Sequence, residues 1–229
     1  MHPSAVKNCK RFFDSYGRFI PSAHAVSVID IGAQNVNGSL RDVVPPQFSY
    51  LGVDFVPGNG VDVVLEDPYS LPFESESADV IMSSSVFEHS EMFWLVFLEI
   101  MRVLKPTGLF YCNAPSNGLF HRFPVDCWRF YPDAGKALVT WAQRNGMNPI
   151  LLESYTSAQD GDAWNDFVAI YVKDADSVDL YPKRVTSSFE DFTNGMVHGQ
   201  PGFLNFTQVS ENRRKIDAIW RITTNNPRV

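Results

Sequence analysis

The chain has 229 residues, room for one α/β domain with added structure but short for two full domains. Its 26 acidic and 19 basic residues leave a net charge of −7, which argues against duplex nucleic acid and anionic lipid as partners. Cys9, Cys112 and Cys127 form no C-x-x-C pair, and the polar start MHPSAVKNCKRFF does not read as a signal peptide. These features argue against a disulfide scaffold, a structural zinc site and a secreted protein. With no apolar run near the ~20 residues of a membrane span, a cytoplasmic chain is expected.

Residues 4–19 carry Val6, Cys9, Phe12, Phe13 and Tyr16 at helical spacing, so they predict a leading amphipathic helix within an N-terminal segment, 1–22. Val26–Ile31 is a β-branched run that ends in a loop from Gly32 to Gly38, the pattern of a buried parallel strand. Further strands are predicted over 48–54, 61–65 and 78–83, an apolar helix over 91–104, and a fifth strand over 109–113. A polar and aromatic loop, 114–131, precedes a helix that Pro132 opens and Asn145-Gly146 stops. Two closing strands follow, 150–155 and 166–172. The alternation implies a Rossmann-like, doubly wound sheet over a domain at 23–173, followed by a C-terminal extension, 174–229, packed on that domain. The extension holds scattered aromatics and one helix candidate, Glu211–Trp220. It either caps the site or mediates a homodimer.

Open α/β sheets bind ligands beyond the carboxyl ends of their strands. The loop Gly32-Ala33-Gln34-Asn35-Val36-Asn37-Gly38 lies there, and a glycine lets backbone approach a ligand. Asp54 ends the second strand, where an acid can accept the hydroxyls of a ribose or cap a helix. Neither feature chooses a cofactor.

The choice comes from Asp67-Pro68-Tyr69-Ser70-Leu71-Pro72-Phe73, then Ser83-Ser84-Ser85-Val86-Phe87-Glu88-His89, then Arg102-Val103-Leu104-Lys105-Pro106-Thr107-Gly108. In this order the chain resembles the class I S-adenosylmethionine-dependent methyltransferases, in the branch with D-x-x-x-L-P-F and R-V-L-K-P motifs. It is similar there to enzymes encoded near surface-glycan genes. The resemblance spans roughly 26–172 and implies a mostly parallel seven-stranded sheet with helices on both faces. It also implies S-adenosylmethionine as cofactor. Gly32, Ala33, Gln34 and Gly38 would wrap the methionine part, with Asp30 near its ammonium group. Asp54 would hold the ribose and Asp67 the adenine amino group, and Ser83 and Ser84 would lie under the sulfonium. Two departures from the family matter most, beside a lesser one at Thr107, where its motif has a glycine. Gln34 and Val36 stand where its loop has glycines, and Pro68 has no N–H to offer adenine.

The acceptor side is read in the loop 115–131. His121, Arg122, Asp126 and Arg129 are interleaved there with Phe120, Phe123, Trp128, Phe130 and Tyr131. Polar groups among rings suit a hydroxylated small molecule or glycan. The glycan-associated relatives carry a similar H-R-x-P-x-D-x-W-R-F stretch. A protonated alcohol is a poor nucleophile, so His121 or Asp126 is the candidate general base. His89, His121, Arg122, Trp128 and Arg129 are the candidate acceptor contacts. The plainer readings are that Asp126 and Arg129 pin the loop, that the rings and Cys127 are core, and that His89 only orients its turn. No His and carboxylate pattern demands a metal. The reading is therefore an O-methyltransferase of a sugar, glycan precursor or other small molecule. The alternatives are a catalytically weak or inactive cofactor-binding scaffold and an N-methyltransferase of a small-molecule amine.

Overall fold

In the computed structural model, which describes residues 2–224, a central sheet separates two apolar layers. The first helix, α1 (Pro3–Tyr16), buries Cys9, Phe12, Phe13 and Tyr16 of the stripe expected of it, with Ala5 buried in place of a half-buried Val6. The strands are β1 (Ser27–Ile31), β2 (Ser49–Asp54), β3 (Val63–Val64), β4 (Ala78–Ser84), β5 (Leu104–Pro115), β6 (Ile150–Ser157), β7 (Asp166–Val172) and β8 (Phe192–Val197). Two helices lie between them in sequence, α2 (Phe93–Val103) and α3 (Asp133–Arg144), and α4 (Glu211–Thr224) follows β8.

The strand order is β3-β2-β1-β4-β5-β7-β6-β8. The pairs β1·β2, β1·β4, β2·β3 and β4·β5 are parallel, whereas β7 runs antiparallel to β5 and β6, and β8 antiparallel to β6. The Rossmann-like expectation holds, with a correction. Among the described residues the sheet is mixed and has eight strands, not seven. The eighth, Phe192–Val197, comes from the C-terminal extension, which adds to the sheet edge rather than only packing on it. Its sequence, FTNGMV, has Asn194 and Gly195 in the middle and lacks a strand's apolar run.

Alternation along each strand assigns residues to layers. Ile29, Ile31, Ile81, Phe110 and Cys112 face the layer of α2 and α3, with Val96, Phe97, Ile100, Leu138 and Ala142. Val28, Val80, Met82, Leu109 and Tyr111 face the layer of α1, with Phe12, Tyr16 and, from the extension, Tyr181 and Val185. A second correction concerns the strand–helix alternation. Between β1 and β4 no α-helix forms, only a 3-10 turn at Leu40–Val43. Pro45-Pro46 interrupts the connection from β1 to β2, and α1 covers that face, packing with Val28 and Leu40.

The extension is tied in by a buried carboxylate. Glu153 accepts hydrogen bonds from Tyr16 Oη at 2.6 Å, Val185 N at 2.7 Å, Thr186 N at 3.0 Å and Thr186 Oγ1 at 2.8 Å. Glu211, in the first turn of α4, accepts from Asn165 Nδ2 at 2.8 Å and Gln159 N at 3.0 Å, both on the β6–β7 connection. That connection lies at the carboxyl ends of β4 and β5, which positions the site.

Candidate active site

The cofactor candidates gather at the carboxyl ends of β1, β2 and β4. Gly32 follows β1 with φ +83°, and its N–H donates to Val53 O at 2.8 Å. A Cβ there would lie 2.1 Å from Val86 Cγ2, so both conformation and space require glycine. Ala33 N–H also donates to Val53 O, and Gln34 N–H donates to Asp54 Oδ2 at 3.1 Å. Asp54 Oδ1 accepts from Val56 N–H at 3.1 Å, so the carboxylate holds both loops while keeping lone pairs for a ligand. Gly38, at φ +120°, closes the turn with its N–H on Asn35 Oδ1 at 2.9 Å.

Asp30 is buried and accepts from Tyr50 Oη at 2.6 Å. Burial pushes its carboxyl up to about 7, against the lowering effects of the Tyr50 hydrogen bond and the Arg41 charge. Asp67 stands apart on the exposed loop after β3, where its Oδ1 accepts from Tyr69 N–H at 2.8 Å. Arg102 grips that same loop, donating to Leu71 O at 2.9 Å and Phe73 O at 2.8 Å. Two separate sequence motifs are thus one packing device.

Ser83 and Ser84, at the end of β4, are buried with hydroxyl oxygens that have no hydrogen-bond partner. Such orphans are rare unless something else supplies the partner. One on each face of β4, they lie at the paired ends of β1 and β4 beside the backbone cradle at Gly32.

The acceptor candidates form a second group beside the first. The loop after β5 is fastened through Ser116 Oγ to Phe130 O at 2.6 Å and Ser116 N to Asn165 O at 2.8 Å. Asp126 takes both guanidinium nitrogens of Arg129, at 2.5 and 2.9 Å, and the His121 N–H at 2.7 Å. The Arg129 guanidinium, first of several causes, holds the Asp126 carboxyl far below the usual carboxylate range. Asp126 is therefore an anchor of the loop and a poor proton acceptor.

His121 packs edge-on to His89 at 4.9 Å between ring centroids and to Trp164 at 5.0 Å. Trp128 is tied to the β4 turn by Nε1 to Ser90 O at 3.0 Å, and its ring meets Phe93 at 5.5 Å. It stays 38% exposed, and Tyr131 stays 67% exposed, so neither is core; Phe130 is buried. Arg122 is exposed, and so is Cys127, against the expectation of a buried thiol.

Three participants escaped the sequence reading. Glu88 is buried within reach of His89, Oε1 lying 3.7 Å from Nε2, and burial pushes its carboxyl up to about 8. The E-H pair was visible in the sequence, but its burial was not. Trp164 arrives from the β6–β7 connection, where a Cβ on Gly118 would meet its ring at 1.7 Å; no local signal marked it. Asn59, between two glycines, accepts from Asn35 N–H at 2.7 Å and backs the cofactor loop.

Residues 22–112 match the family model of a methyltransferase domain. This stretch of the chain is similar to a methyltransferase domain. Its cofactor is S-adenosylmethionine, and its enzyme class is S-adenosylmethionine-dependent methyl transfer. Searched against curated proteins, the sequence finds no match. Several solved structures share the fold. The Burkholderia thailandensis 1,6-didemethyltoxoflavin-N1-methyltransferase, with bound 1,6-didemethyltoxoflavin and S-adenosylhomocysteine, aligns at TM-score 0.55 and 13% identity, over 75% of this chain and 79% of that one. A sarcosine dimethylglycine methyltransferase, assigned as such in Galdieria sulphuraria, aligns at 0.54 and 15%, over 75% and 86%. An Archaeoglobus fulgidus SAM-dependent methyltransferase aligns at 0.51 and 14%, over 72% and 93%. At these identities the likeness establishes the fold, the Rossmann-like class I methyltransferase fold. The matched stretch, 22–112, contains the sheet edge that carries Gly32, Asp54 and Ser84.

Proposed function

We propose that the chain transfers a methyl group from S-adenosylmethionine to a hydroxyl of a sugar, a glycan precursor or another small hydroxylated molecule. The observation that carries this reading is the position of His121. It stands beside the turn that follows β4, against His89 and Trp164, with Trp128 fastened to the same turn through Ser90 O. Such a wall stacks on a sugar ring while Arg122 and the imidazoles meet its polar groups.

In this reading Gly32, Ala33, Gln34 and Gly38 bind the methionine part, Asp30 meets its ammonium group, and Asp54 meets the ribose. Asp67 faces the adenine, and the orphaned hydroxyls of Ser83 and Ser84 lie beneath the reacting centre. When bound, the cofactor supplies an electrophilic methyl on a sulfonium. The chain's own residues align the acceptor with it and exclude water. His121 is the proton acceptor. Its Nδ1 lies 3.1 Å from Leu119 O, which fixes a Nδ1–H tautomer and leaves Nε2 as the basic nitrogen. Asp126 and Arg129 act through the loop, as positioning residues. The net charge of −7 favours a small or glycan acceptor over nucleic acid.

The test is calorimetry with S-adenosylmethionine and S-adenosylhomocysteine, then transfer of a labelled methyl to a panel of nucleotide sugars, free sugars, amines and carboxylates. Label on a hydroxylated acceptor, lost in His121→Ala, supports the reading. Label only on amines replaces it with N-methylation, and tight product binding with no transfer to any acceptor replaces it with a scaffold.

A further inference from the structure

Glu88, His89 and His121 bring one ligand atom each to within 4.8 Å of one another, two from the turn after β4 and one from the loop after β5. Their hydrogen bonds make this more than proximity. His89 Nδ1 sits 2.5 Å from Val125 O, and His121 Nδ1 sits 3.1 Å from Leu119 O. A carbonyl only accepts, so both Nδ1 atoms carry the proton and both Nε2 atoms present a lone pair. A backbone carbonyl that orients an imidazole in this way is the usual support of a metal-ligating histidine.

The third member supplies the independent observation. Glu88 is 1% exposed, and its Oε2 has no hydrogen-bond partner. A buried carboxylate oxygen with no donor is costly and calls for a cation or a proton. No Lys or Arg makes an ion pair with it among the described residues; Arg129, whose charge acts on it, spends its fork on Asp126.

We infer that Glu88, His89 and His121 form a binding site for one divalent transition-metal ion of the zinc class. Two imidazole nitrogens and one carboxylate are a ligand set of catalytic zinc sites, which keep a further position open for water or substrate. Bonds of about 2.0–2.2 Å put neighbouring ligand atoms about 3.3 Å apart, so the trio closes by about 1.5 Å on binding. His121, on a surface loop, supplies that movement. The open position would face the acceptor side, so in the loaded protein the cation rather than His121 would activate the acceptor hydroxyl. The binding inference does not rest on the proposed acceptor; that consequence does.

The full-length, untagged chain is stripped with chelator and titrated with Co2+, followed by visible absorption, and with Zn2+ by calorimetry. One equivalent per chain is expected, with a Co2+ spectrum of nitrogen and oxygen ligands. Affinity should fall at least tenfold in His89→Ala, in His121→Ala and in Glu88→Gln, and stay unchanged in His24→Ala and His198→Ala. Because Glu88 is buried, His121→Ala decides the matter if Glu88→Gln fails to fold. Absence of stoichiometric binding overturns the inference. So do equal affinities in folded His89→Ala and His121→Ala, or a sulfur-to-cobalt band that places the ion on Cys127. S-adenosylhomocysteine binding, measured on the same samples, reports separately on the cofactor site.

Discussion

The hydroxyl of Tyr50 donates to Asp30 at 2.6 Å, and burial nevertheless pushes that carboxyl, near the end of the first strand, up to about 7. In the cofactor placement proposed above, the ammonium group of S-adenosylmethionine requires Asp30 ionised. Binding should therefore release a proton below about pH 7, and affinity should rise with pH to a plateau above it. From pH 6 to pH 8 the gain is about tenfold, from roughly one unit of titration. Calorimetry in buffers of different ionisation enthalpy checks this, and Asp30→Asn should abolish the pH dependence. The sign for stability is opposite. The folded chain holds this proton more tightly than the unfolded one, so Asp30 disfavours folding progressively as pH rises from about 4 to about 7.

Gly32→Ala tests the cradle. A side chain must adopt φ +83° and press on Val86 Cγ2. A stability loss of about 1–3 kcal/mol is expected, with at least tenfold weaker binding of S-adenosylhomocysteine. Val86→Ala added to Gly32→Ala should recover part of the stability, because it removes the clash and leaves the backbone strain. Urea unfolding and calorimetry separate the two readouts.

Arg129→Lys replaces a two-point grip on Asp126 by a single ammonium. The loop should loosen, raising the acceptor KM about tenfold while the affinity for S-adenosylhomocysteine stays near that of the parent. The Asp126 carboxyl is depressed, so its contribution to folding is complete above about pH 4 and is lost only as pH falls towards the lowered value. Neutral pH profiles should thus show no step from Asp126. A step that moves in Asp126→Asn would refute its role as an anchor.

Glu153→Ala should unfold more than a local contact. It strands the Tyr16 hydroxyl, two backbone N–H groups and the Thr186 hydroxyl in a dry layer. A loss of about 3 kcal/mol or more is expected, since four hydrogen bonds are lost and their buried donors are orphaned. Glu153→Gln should cost less, because one oxygen remains. The midpoint of urea unfolding reads the difference.

Local pattern was enough to place β1, β2, β4, β6 and β7 and the helices α1, α2 and α3 within a few residues. Continuous apolar runs and a 3.6-residue stripe are properties of neighbouring residues, and their burial follows from them. The cofactor was implied by the resemblance that the order of motifs carries, while Gly32, Asp54 and Ser84 lie at strand ends, where such sheets bind ligands. What sequence could not supply was the company each residue keeps. β8 was missed because FTNGMV earns its place by pairing with β6, not by its own propensity. Trp164 reaches His121 from a distant connection. Asp126 reads equally as base or anchor until Arg129 closes on it. Glu88 is an ordinary surface residue by composition; only the tertiary fold strips it of water and leaves an oxygen without a partner beside two imidazoles. Those relations depend on desolvation and on distances across the sheet edge, which no spacing along the chain encodes.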